Sequence, residues 1–122
     1  RTGQTVSGVI RSDVDSLEPT SGHPDNVQVF AHSALNAHQA EARTHTGGTF
    51  YSDMTYYTDP KSKAGVWDSG TNNWIPDLTA CPAGTSCPAP VIGTITGNLL
   101  RALGRGPAGQ HHPSTPNWHT LY

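Results

Sequence analysis

Large aliphatic side chains are scarce in this 122-residue chain, where Leu, Ile, Val and Phe together number 20. So small a supply limits how large a core the chain can bury by itself. Lysine is nearly missing, and the seven Lys and Arg never cluster, which excludes a strongly basic nucleic-acid binder. No apolar run approaches the ~20 residues of a transmembrane helix. With two cysteines and no paired-His spacing beside them, a four-ligand zinc site is disfavoured. The net charge is only −2, unlike the high charge that accompanies disorder in aliphatic-poor chains. No initiator Met or signal peptide precedes Arg1, so this end is expected to be an artificial boundary or a site of proteolytic maturation.

What the chain has instead is turn-forming and small polar material. Gly and Pro together number 23, Ser and Thr 25, and three Trp with four Tyr supply the missing apolar bulk. A thin core with long loops follows, or a piece that completes its core against another polypeptide. Cys81 and Cys87 lie in CPAGTSCPAP, where Pro and Gly let the chain fold back into a small disulfide loop. Such a loop contributes about 2 kcal/mol and implies an oxidising compartment. Thr, Ser, Gly and Ala enrichment points the same way, towards a secreted bacterial protein.

Periodicity assigns the elements. Residues 4–10 read as a short strand with Val6 and Ile10 on one face. Residues 26–32 (NVQVFAH) read as a second, with Val27, Val29 and Ala31 on one face and Phe30 opposite. Residues 34–43 suit a helical turn or a loop. A β-hairpin is expected from 49–58 and 64–70, turning at Asp59-Pro60, with Phe50, Met54 and Tyr56 on one face. Tyr51, Asp53, Thr55 and Tyr57 fall on the other face. Trp67 is expected to be buried, and the small residues Ala64, Gly65, Ser69 and Gly70 to mark a close approach. Residues 91–104 form the best helix, with Ile92, Ile95, Leu99 and Leu103 as a stripe that should cover the sheet, closest at Gly93 or Gly97. Residues 1–104 thus read as an α/β portion and 105–122 as an irregular tail anchored by Trp118.

Three side chains are candidates for lining a pocket. His32 ends an apolar strand, where sites often form, although a lone His is more often a hydrogen-bonded structural residue. Asp53 sits among aromatics on its strand. It is either a carboxylate perturbed by burial, or one bonded to backbone amides or exposed on the sheet. Asp68 poses the same choice. His111, His112 and His119 read as a solvated tail, since neighbours on an extended chain point apart. Ser33 and Ser69 lack a nucleophile elbow, and GRGPAG lacks the ending of a phosphate loop.

FAHSALN, then SDMTYYTDPKSKAGVWDSGTNNWI, then TGNLLRALGRGPAG followed by HPS and NW, occur in that order. Together, from about Val27 to Trp118, they resemble the C-terminal end of the bacterial family related to the large subunit of N,N-dimethylformamidase. The resemblance implies the closing elements of a class I glutamine-amidotransferase-like α/β domain, a β-hairpin and a last helix. It also implies amide C–N hydrolysis at a mononuclear iron held by two Tyr and one Glu, upstream of these motifs. Tyr51, Tyr56, Tyr57, Glu18 and Glu41 do not match those ligands, so no metal or other cofactor is assigned to this chain. The parallel strands that open such a domain are not in the sequence. A companion polypeptide is therefore expected, the N-terminal remainder of one precursor cut before Arg1, sharing an apolar interface above ~2,000 Å². No nucleic-acid or membrane partner is expected. The alternative is a non-catalytic structural or interaction module built from the same elements.

Overall fold

The alternation in YSDMTYYT produces strand β2 (Tyr51–Thr58), which pairs antiparallel with β3 (Gly65–Asp68). A computed structural model of the chain describes residues 5–10, 14–20, 22–36, 49–79 and 81–122. The loop between the two strands is built by Asp59, whose carboxylate accepts from the backbone N–H groups of Lys61 and Ser62 and from the Ser62 hydroxyl. These bonds, those from Ser62 first, hold the Asp59 carboxyl below its ordinary range. Lys63 closes the loop with a left-handed φ of 62°.

The expected close approach occurs at both glycines of this group. A Cβ on Gly65 would lie 2.8 Å from the Tyr56 ring, and one on Gly70 would lie 2.4 Å from the Asp53 carbonyl oxygen. Gly70 also has φ +71°, a conformation that favours glycine. Its turn, supported by a 2.9 Å bond from the Gly70 N–H to Asp68 Oδ1, ends β3 before the expected residue 70.

Strand β1 (Gln28–Ala34) pairs antiparallel with the other edge of β2, giving a three-stranded sheet in the order β1-β2-β3. The register slips once. Val29 opposes Thr55 and Ala31 opposes Met54, so Phe30 is the extra residue of a β-bulge. An extra residue inverts the alternation beyond it. Val29 and Ala31, expected on one face, are therefore on opposite faces, and His32 lies opposite Asp53. The outer edge of β1 is closed by Asn117, whose side-chain oxygen accepts from Val29 N–H at 2.7 Å while its amide donates to Val29 C=O at 2.9 Å. Trp118 helps, donating to the Asp25 carbonyl and meeting His23 edge-on.

Two expected elements differ. Residues 5–10 form no strand, because Gly8 at φ +85° turns the chain there. Of residues 34–43, Ala34 ends β1, Leu35 and Asn36 are not helical, and the remainder lies outside the described residues.

Helix α1 (Ala89–Leu103) begins after Pro88, carries Pro90 in its first turn and ends at Gly104. Its stripe is real but does not cover the sheet. Ile92 is buried, Ile95 and Leu99 are half-buried, and Leu103 is exposed. The helix rests instead on the 3-10 turns Asn72–Trp74 and Pro76–Leu78. Trp74 takes the place expected for Trp67. It is 4% exposed, donates from Nε1 to Thr96 Oγ1 at 3.0 Å and meets Trp67 edge-on at 5.0 Å. Trp67 itself is half-buried. Neither helix glycine is a point of closest approach to the sheet: a Cβ on Gly93 would meet nothing within 4 Å, and the nearest atoms to one on Gly97 belong to the Arg101 side chain. Between helix and sheet opens a cleft of about 1170 Å³, walled by Phe30, Met54 and Trp67 on one side and Ile92, Ile95 and Leu99 on the other. Cys81 and Cys87 are bridged, with Cα atoms 5.7 Å apart.

The packing orders the two tryptophans. Trp74→Ala should cost about 3–5 kcal/mol, as buried aromatic truncations do. Trp67→Ala should cost less than half as much, both read from urea denaturation of otherwise identical chains.

Candidate functional site

The sheet face turned away from the cleft carries a cluster centred on one carboxylate. Asp53 is 1% exposed. Its Oδ1 lies 2.7 Å from His32 Nδ1, and its Oδ2 accepts from the Leu17 N–H at 2.9 Å and from the Tyr122 hydroxyl. Burial of a carboxylate is tolerated only with such compensation. Asp53 is thus buried and bonded to a backbone amide at once, two situations that the strand pattern alone keeps separate.

Each donor comes from a different part of the chain. Leu17 is presented by the segment around Asp15, whose carbonyl accepts from Asp53 N–H at 2.9 Å and whose N–H donates to Gly70 C=O at 3.1 Å. Ser52 donates from its hydroxyl to the same Gly70 carbonyl, and Ser16 donates to the Tyr51 carbonyl. Tyr122 arrives from the other end, carried by the 3-10 turn Trp118–Thr120. His32 is brought by the bulge.

A carboxylate oxygen accepts, so His32 Nδ1 is the donor of this bond and Asp53 fixes the orientation of the ring. The imidazole is stacked on Tyr51 with centroids 3.8 Å apart and planes 16° from parallel, and it meets Tyr122 edge-on at 5.1 Å. Its side chain remains 18% exposed. The pair has the composition of a general-base dyad, an imidazole oriented by a buried carboxylate. Burial, and then the bond to Asp53, raise the Tyr122 phenol above its ordinary value.

Of the three candidates, His32 and Asp53 come together and Asp68 does not. The Asp68 carboxylate is spent on the Gly70 turn. His111, His112 and His119 are exposed, and His119 lies against the Trp118 ring at 3.6 Å. Among the described residues, no three of His, Cys, Asp or Glu gather as a metal site. Tyr122 was not legible as a member of the cluster, because it reaches Asp53 across 69 positions with no local pattern. Trp118, the expected anchor of the tail, donates to the Asp25 carbonyl, while the neighbouring Asn117 makes the paired bonds to the strand.

Among the described residues, a small antiparallel sheet with one helix, carrying the His32–Asp53 pair on the face away from the cleft, gives the domain a mixed α/β character. A family model described as N,N-dimethylformamidase beta subunit-like, C-terminal, matches residues 1–87, and the chain belongs to that family. The match takes in all three strands, the dyad and both half-cystines, and ends before α1. No curated protein matches the chain, and no solved structure does either.

The cluster has an alkaline signature. Because the folded Tyr122 value lies above the ordinary 10.0, its contribution is complete below about pH 10 and falls as pH rises towards the folded value. Tyr56, raised by burial, adds in the same sense. Tyr122→Phe should cost about 1 kcal/mol at pH 7 by removing a donor from Asp53. It should also flatten part of the stability loss above pH 10, as measured by denaturant midpoints at pH 7 to 11.

Proposed function

We propose that this chain is the C-terminal part of a secreted N,N-dimethylformamidase-like amide hydrolase, completing the enzyme's fold while the reaction centre lies mainly on an upstream or separate chain. Membership of a family named for a beta subunit's C-terminal part supports the reading. The observation that carries it is the cleft, whose apolar walls come from the helix, the sheet and the segment holding Val6, Val9 and Ile10. Walls of this kind suit coverage by another polypeptide. The companion this reading assigns is the N-terminal remainder of the same large-subunit-like precursor, which would carry the amidotransferase-like parallel sheet.

An iron held by two Tyr and one Glu does not fit Tyr56 or Tyr122. The Tyr122 hydroxyl is committed to Asp53, and the Tyr56 hydroxyl donates to the His112 carbonyl at 2.9 Å. An iron belongs to the remainder of the enzyme in this reading. The bridge at Cys81 and Cys87 suits export to an oxidising compartment.

Leu99 now has a different expected role. Half-buried on the cleft wall, it can accept a charge without unfolding the chain. Leu99→Asp should preserve the melting transition while weakening association at least tenfold. Size exclusion with intact-mass measurement should find the wild-type chain bound to, or continuous with, a larger polypeptide that hydrolyses a simple N-alkyl amide. A cooperative monomer with no companion would sink the proposal and favour the interaction module.

A further inference from the structure

We propose that the outer edge of β3 is a docking edge, on which an extended segment of the companion polypeptide pairs as a fourth strand. The inference rests on the companion named above and adds where, and through which groups, it joins this chain. The bonding pattern of the hairpin fixes the groups on offer. Asp59 N–H donates to Ala64 C=O at 2.8 Å, which makes these two a hydrogen-bonded pair of the antiparallel ladder. Such pairs recur at every second residue, so Tyr57–Val66 and Thr55–Asp68 are the next two. Gly65 and Trp67 therefore turn their N–H and C=O groups outward, away from β2. Among the described residues, β3 ends the sheet and nothing bonds to these four groups.

The two edges of the sheet are thus unlike. Asn117 fills both groups of Val29 on β1, whereas GVWD holds no Pro, no Lys and no bulge. The guards of β3 are its four-residue length and Asp68 at its end. So short an edge is too small to hold a second copy, since a stable interface buries about 1,200 Å² or more. It is long enough to set the register of a polypeptide already seated in the cleft. Edge and cleft are continuous. Trp67 belongs to both, and a second cavity of about 460 Å³ adjoins the start of β3, lined by Ala64, Gly65, Leu103, Pro107 and Ala108. Alternate side chains of an added strand point to this side, so the docking segment is apolar at every second position. Among the described residues, Arg101 and Arg105 line the cleft and no carboxylate does. An Asp or Glu at the end of the segment nearer the C-terminus of α1 complements them.

The test is hydrogen exchange, resolved to single amides, on the enzyme complete with its companion. Gly65 and Trp67 should exchange at least ~100-fold more slowly than unbonded amides, and within about tenfold of Val66, which is paired inside the chain. Free exchange at either amide with the companion in place overturns the docking edge and leaves the companion reading intact. A protein with no companion, bound or continuous, overturns that reading and this proposal together. Protection reports the bonds and not their owner, so a photoreactive benzoylphenylalanine replacing Val66, which is 42% exposed, supplies the identity. The expected cross-link is to a companion segment with alternating apolar residues. A cross-link to a second copy of this chain, to another part of this chain, or to nothing overturns the proposal.

Discussion

A carboxylate removed from water must be surrounded by donors, and the arrangement of this molecule around Asp53 follows from that requirement. Its neighbours are drawn from the segment near Leu17, from β1 and from the last residue of the sequence. Losing one donor from a buried carboxylate costs more than the bond is worth when made, because the acceptor is left without compensation. The cluster therefore couples parts of the chain that share little apolar contact. In a sequence with so few aliphatic residues, such polar coupling stands in for a larger core.

The bulge at Phe30 is the local device on which this depends. In an unbroken register Asp53 would oppose Ala31, and His32 would oppose Ser52 on the cleft face. One extra residue moves His32 to the other side and places Phe30 where it lies 55% exposed near Tyr56. Gly70 does related work from β3, since its missing Cβ lets the Asp53 backbone and the turn approach each other. The two sheet faces consequently differ in character: one polar and closed over the dyad, the other apolar and open to the helix.

The hairpin was legible because alternation, Asp-Pro and small residues all indicate the same register. The helix was legible from its period, and the disulfide from the Pro/Gly-rich loop between its cysteines. The position of the helix was not. Its stripe identifies an apolar face but not the surface it meets, and Trp74, which bonds to the helix at Thr96, lies on a 3-10 turn without periodicity. The dyad was half legible. His32 and Asp53 were marked by residue type and strand position, but their pairing depends on a bulge that no Gly announces. Tyr122 and Asn117 act through contacts 69 and 88 positions away, beyond any local pattern.

Asn117 has a consequence for how copies of this chain behave towards one another. An edge strand offers free N–H and C=O groups to any extended peptide, and sheets that leave them bare are prone to stack into fibres. By occupying both groups of Val29 with one amide, Asn117 acts as a strand surrogate a single residue long that cannot itself be extended. Recruitment of a second copy along β1 is blocked beside the bulge, where the ladder is already irregular. Resistance to self-association is thereby written into a side chain rather than into surface charge, of which this chain has little.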